Sequence, residues 1–151
     1  MHPMPQLITY LTFNGNCREA MTFYQECLGG KLYLQTVGDS PLSAELPRRM
    51  REYILHAMLR ADNLVLMATD MVDEVELVRG NSVSIMIRCS SQDEMHKHFE
   101  NLSRGGKTTY PIEENFWGAL FGGLTDKYGN KWLLHLDKTN LFNKYQHHEN
   151  P

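Results

Sequence analysis

Apolar positions along this chain change their period in an order that occurs twice. The run LITYLTF (7–13) reads as a strand, and Ala20, Phe23, Tyr24, Cys27 and Leu28 then follow at the spacing of one helix face. Asn16, with Glu19 three residues on, has the pattern of a capping box, and Gly29 is a natural helix stop. Three extended runs come next, KLYLQTV (31–37), YILHAMLR (53–60) and LVLMAT (64–69), the last two joined by Asp62-Asn63. The second passage opens on SVSIMIRC (82–89). Ser91 and Glu94 form the box, Met95, Phe99 and Leu102 the stripe, and Gly105 the stop. KTTYPI (107–112), ALFGGLTD (119–126) and KWLLHL (131–136) complete it, the last pair joined through Tyr128-Gly129-Asn130.

The triplet GGK marks the same point in both passages, in CLGGKLYL (27–34) and SRGGKTTY (103–110). Gly29 and Gly105 lie 76 residues apart, as do Phe23 and Phe99. The chain therefore reads βαβββ twice. We expect an α+β fold of two tandem modules, 5–70 and 80–138, within one domain spanning 1–151, with a polar tail at 139–151. A longer loop, roughly 38–52, interrupts the first module. One helix covers only one face of a four-stranded sheet. Two such modules side by side are expected to form a curved mixed sheet whose concave face encloses a pocket.

Composition narrows the functional classes. A hydrophobic share of 42% and a charged share of 22% are ordinary for a globular chain. A net charge of −3 gives no basic stripe for nucleic acid. The densest cationic group, Arg48, Arg49 and Arg51, is flanked by Glu45 and Glu52 and reads as a solvated loop. Three cysteines, Cys17, Cys27 and Cys89, without C-x-x-C spacing, argue against a disulfide framework or zinc knuckle and for a reducing, cytoplasmic setting. MHPMPQ does not have the form of a signal peptide, and no run approaches the ~20 apolar residues of a membrane span. No membrane partner is expected.

YLTFNGNCREAMTFY (10–24), HAMLRADNLVLMATD (56–70) and FWGALFGGLTDKYGNKW (116–132) resemble signatures of the vicinal oxygen chelate superfamily. That superfamily includes glyoxalase I, bleomycin resistance proteins and extradiol dioxygenases, and the likeness is to its PhnB-like branch. Members of the branch often bear a 3-demethylubiquinone 3-methyltransferase label. Here no G-x-G-x-x-G follows a strand, so no residues point to a Rossmann-type methyl-donor site.

The resemblance implies a divalent metal held by His and Glu on the first and last strands of each module, acting as a Lewis acid. The matching positions are Ile8 or Thr9, a place near Leu66, Ser84 or Ile85, and Leu133. None is His, Glu or Asp, so no metal and no cofactor is expected. The resemblance also implies a homodimer.

The concave face is expected to present Tyr10, His56, Met58, Met86, Trp117, Phe121 and His135 to a small-molecule ligand. Ile54, His56, Met58 and Arg60 share one strand face by alternation, and His135 shares one with Leu133. Each histidine reads either as a hydrogen-bonded structural side chain or as a ligand contact or acid–base group. An imidazole buried without a partner would cost about 1–3 kcal/mol. Trp117, Phe116 and Phe121, among Gly118, Gly122 and Gly123, suit a backbone bent round a ligand or a tight hairpin packed on the core. Tyr10 and Met86 read as core or as contact. His96 and His98 face different ways on a helix, and His147-His148 sit in the polar tail. The cysteines read as buried and inert. Three functions remain: a metal-free small-molecule binding protein, an enzyme using non-standard metal ligands or His56 acid–base chemistry, and an assembly protein with a vestigial pocket.

Overall fold

The computed structural model describes residues 4–71 and 76–137. The polar tail, its His147-His148 pair and the end of the second module at 138 lie outside the described residues. Contacts divide the chain into two compact units, Met1–Val78 and Arg79–Pro151. Among the described residues no helix is long and apolar enough to cross a membrane.

The first unit runs β1 (Thr9–Thr12), α1 (Cys17–Leu28), β2 (Lys31–Thr36), β3 (Ile54–Ala61) and β4 (Leu64–Thr69). Its sheet order is β1-β4-β3-β2, with β1 parallel to β4 and the other pairs antiparallel. The second unit repeats the plan with β5 (Ile85–Arg88), α2 (Gln92–Ser103), β6 (Lys107–Glu114), β7 (Leu120–Thr125) and β8 (Lys131–Leu136), ordered β5-β8-β7-β6. The α+β reading and both βαβββ modules stand. Hydrogen bonding closes within each module, giving two four-stranded mixed sheets.

Alternation decides which sheet face each helix covers. On β3, Ala57, Leu59 and Ala61 are buried, while His56 and Met58 are half-buried and Arg60 is exposed. The helix α1 supplies Ala20, Met21, Phe23, Tyr24 and Cys27 to the same core, which also takes Leu11, Leu66 and Ala68. Burying a side chain of Phe23's size contributes roughly 1.5–3 kcal/mol. Ile54 departs from the expected grouping with His56. It is fully buried at the start of the strand, where the β2–β3 register shifts. In the second unit Met95 and Leu102 of α2, with Ile87, Leu124, Trp132 and Leu134, form the equivalent layer.

The two helix starts are capped by different means. Asn16 makes no side-chain cap bond. The buried Asp70, just past β4, accepts from the Gly15 and Cys17 amides through Oδ1 (2.9 Å each) and from the Ile54 amide through Oδ2 (2.7 Å). A carboxylate is the stronger acceptor at a helix N-terminus, so it replaces the expected Asn16–Glu19 box. In the second unit the Ser91 hydroxyl accepts from the Glu94 amide at 3.1 Å. The Glu94 carboxylate bonds Ser90, one residue before the capping serine, accepting from its amide and its hydroxyl. The loop 38–52 holds two short 3-10 turns, Pro41–Ala44 and Arg48–Met50, with its arginines exposed.

The paired glycines divide two tasks. Gly29 (φ +80°) and Gly105 (φ +78°) end the helices in the left-handed region. The next residue in each case meets the sheet. A Cβ at Gly30 would overlap the Arg60 carbonyl oxygen, and one at Gly106 the Thr125 carbonyl oxygen. The repeat GG therefore records one helix-to-strand crossing made twice. Gly30→Ala and Gly106→Ala should each cost about 3 kcal/mol, the upper end of overpacking, because backbone would have to move. Gly29→Ala, with open space but a strained φ, should cost about 1 kcal/mol. Urea unfolding of the three variants checks the order, and Gly106→Ala proving milder than Gly29→Ala would break this account.

Candidate functional site

Each unit leaves one sheet face without a helix, and six of the seven expected site residues lie on these faces. In the first unit Tyr10, Met67, Met58 and Tyr33 form one row across all four strands, set by the pairs Tyr10↔Met67, Met58↔Met67 and Tyr33↔Met58. Tyr10 and Tyr33 are 54% and 53% exposed, so both ends of the row are surface and not core. His56 stands two residues from Met58 on the same face, opposite Gln35. It is half-buried, and among the described residues no side chain hydrogen-bonds its imidazole. Its exposure leaves the ring open to solvent, which removes the penalty that full burial would impose.

In the second unit the equivalent row is Met86, Leu133, Gly123 and Tyr110. The next row places Arg88 beside His135, His135 opposite Phe121 and Phe121 opposite Glu113. Tyr110 and Phe121 are tilted neighbours with ring centroids 6.3 Å apart. A cleft of ≈ 260 Å³ opens on this face around Gly123. Gly123 is what makes the room, since a Cβ there would come within 2.8 Å of Tyr110 Cδ2 and 3.0 Å of Leu133 Cδ2.

Trp117 is the exception. It sits in the turn between β6 and β7, 60% exposed, edge-on to Phe116, which is 94% exposed. The Asn115 side chain holds that turn by accepting from the Trp117 and Ala119 amides, 3.0 Å each, and Gly118 takes φ +79°. This overturns the reading of these two aromatics as a hairpin packed on the core. Phe121 alone of the three lies on the sheet.

Tyr33, Met67, Tyr110 and Leu133 were not among the expected contacts. Two of them lie on edge strands, β2 and β6, where alternation with exposed neighbours looks the same whether the aromatic serves a ligand or faces solvent. The repeat pointed close by but not to the residue itself: 76 residues on from Tyr33 is Thr109, and the register shift between Thr108 and Tyr110 puts Tyr110 in the row instead.

The register also tests the metal positions. Thr9 pairs with the buried Leu66, and Ile85 with the buried Trp132, so these four belong to the helix-covered side. By alternation the uncovered faces carry Ile8, Met67, Ser84 and Leu133. Three alkyl or thioether chains and a hydroxyl do not suit a divalent cation that prefers imidazole and carboxylate. Among the described residues no three His, Cys, Asp or Glu side chains converge.

With this geometry in hand, the chain can be set beside known proteins. The family model described as 3-demethylubiquinone-9 3-methyltransferase matches residues 5–135. Protein YjdN of Escherichia coli (strain K12) is 30% identical over 141 residues, covering 87% of this chain and 95% of that protein. The crystal structure of protein PA1353 from Pseudomonas aeruginosa is similar at 35% identity and a TM-score of 0.78, covering 89% of this chain and 98% of that one. A PhnB protein from Bacillus cereus shares the fold at 23% identity and a TM-score of 0.66, over 88% of this chain and 100% of that one. Glyoxalase/bleomycin resistance proteins at 17% and 14% identity share it as well.

The cysteines offer no nucleophile. Burial, reinforced by the negative charge of Asp70, pushes the Cys17 thiol up to about 12 from an ordinary 9.0. Burial and then Glu94 push Cys89 up to about 11, against a backbone hydrogen bond at His135 that lowers it. Cys27 is buried too. A thiol that ionises near 9.0 unfolded and near 12 folded stabilises the protein fully below pH 9, and that contribution is lost as pH rises toward 12. Folded protein should leave an aromatic disulfide reagent unreacted at pH 8, releasing all three equivalents only in denaturant. Its urea midpoint should fall between pH 9 and 11, and less steeply in Cys17→Ala. Rapid labelling of native Cys17 would contradict this.

Proposed function

Because the chain belongs to the 3-demethylubiquinone-9 3-methyltransferase family, PhnB-like proteins on a glyoxalase-type scaffold, we propose that it binds a small molecule on its uncovered sheet faces without a metal. One observation carries the reading. Exposed aromatic and methionine side chains pave the faces on which superfamily enzymes place metal ligands, and the ligand positions carry Ile8, Met67, Ser84 and Leu133, none of them an imidazole or carboxylate. Apolar contact at roughly 25 cal/mol per Å² is then the main source of affinity. The methyl transfer in the family's description finds no supporting motif in these residues.

The setting we propose is cytoplasmic, where thiols such as those of Cys17, Cys27 and Cys89 stay reduced. We also propose a homodimer of twofold symmetry, which would cover sheet edges that a lone chain leaves open.

Three measurements bear on this. A thermal-shift screen of planar and amphipathic compounds should yield a stabilising ligand, since a hundredfold excess over Kd adds ~2.7 kcal/mol. Purified protein should carry well under one equivalent of zinc, nickel, iron or manganese, and a chelator should leave its Tm unchanged; a stoichiometric side-chain-bound metal would turn the reading to an enzyme. Light scattering at micromolar concentration should give twice the chain mass, and a monomer there would remove the dimer.

A further inference from the structure

The cleft on the second unit's uncovered face has two chemically different ends. Tyr110 and Leu133 form an apolar end on either side of Gly123. Asn81, Ser84, Thr109 and Lys131 form the other, and among the described residues no carboxylate lines the cleft. Lys131 opens β8 and is only half-exposed. It stands opposite Thr125, and Lys107 stands opposite the same threonine from β6. Two lysine positions therefore share one register row at this end of the face, and of the two only Lys131 lines the cleft. In the first unit's equivalent row, Tyr10, Met67, Met58 and Tyr33, the position that matches Gly123 carries the larger Met58.

Resting on the binding reading above, we infer that this cleft takes a ligand with a planar apolar body and one anionic oxygen group, carboxylate or phosphate. The body lies against Tyr110 and Leu133. The anion meets Lys131, with Asn81, Ser84 and Thr109 as neutral donors. An ammonium in a partly desolvated site with no competing acid attracts an anion and repels a cation, so selection is by sign as well as shape. The volume sits just under the ~300 Å³ at the lower end of small-molecule pockets, which suits a fused two-ring body.

The test is an amide NMR titration of the full chain with four probes of one shape: naphthoate, naphthyl phosphate, naphthalenemethanol and naphthylmethylamine. Both anions should shift the Gly123 and Leu133 resonances and bind more tightly than the alcohol. The larger gain tells which oxygen group the site prefers. Lys131→Gln should weaken the anions about tenfold, as expected for one charged hydrogen bond, and leave the alcohol within about twofold. Lys131→Arg should restore the anions. Asn81→Ala, on an exposed residue ahead of β5, gives a weaker loss in the same direction and serves if Lys131→Gln does not fold. If the alcohol or the amine binds as tightly as the anions and Lys131→Gln changes neither, the anion assignment falls and the binding reading stands. If no probe moves a resonance of this face, and the compound screen also yields nothing, both fall.

Discussion

A four-stranded sheet has two faces, and each unit of this chain has one helix to cover them. The exposed aromatics that lie on the strands, Tyr10, Tyr33 and Tyr110, follow from that shortage. Helix α1 takes the side of β3 that carries Ala57, Leu59 and Ala61, so His56, Met58 and Arg60 have no intramodular cover. A one-residue slip of β3 would exchange the two sets, burying an arginine and exposing a leucine, and so the register is strongly determined. Single exposed apolar residues are common on protein surfaces and need no explanation. A row of exposed tyrosines and half-buried methionines running through every strand, as Tyr10, Met67, Met58 and Tyr33 do, is a larger apolar patch than such scatter produces.

Most of the architecture was legible in the sequence because the apolar period changes sharply and glycine marks each change. The paired glycines were the clearest signal, since φ above +70° at Gly29 and Gly105 and backbone contact at Gly30 and Gly106 exclude any other residue without strain. The capping of α1 was not legible. Local pattern pointed to Asn16 and Glu19, whereas the acceptor is Asp70, more than fifty residues on, and it reaches the helix only once β4 lies beside β1. The placing of Trp117 in an exposed turn was not legible for a related reason. Glycines around aromatics fit a packed hairpin as well as an exposed turn, and what decides is the Asn115 side chain closing the turn onto its own backbone.

The two units share a plan and use their acids differently. Asp70 ties the end of β4 to the start of α1 and to β3, joining three elements through one buried carboxylate. Asp126 instead holds its own hairpin, accepting from the Tyr128 and Asn130 amides and from the Trp132 indole at 2.8 Å. With that hairpin fixed from within, β7 can carry Gly122 and Gly123 in mid-strand, where glycine ordinarily weakens a sheet. Gly122 admits Phe99 and Ile112 on the helix side, and Gly123 admits Tyr110 and opens the cleft on the other. The same substitution pattern in the first unit would have no compensating hairpin of this kind, and there the equivalent position is the larger Met58.

Register also bears on the positions where the resemblance would put metal ligands. On the first strands the choice lies between Ile8 and Thr9 and between Ser84 and Ile85. On the last strands it lies between Leu66 and Met67, and at Leu133. Alternation assigns one of each pair to the uncovered face, and sliding any strand by one residue presents the other. Neither alignment brings an imidazole or a carboxylate to these places, so a one-residue shift of the backbone would not supply the missing donors. A dication held there would lose its hydration to alkyl groups that return nothing, at a cost of several kcal/mol. The charge that lines the second unit's cleft is of the opposite use. Lys131, two residues from Leu133 on the same side of β8, already supplies a positive group beside the cleft, and it does so as part of the chain.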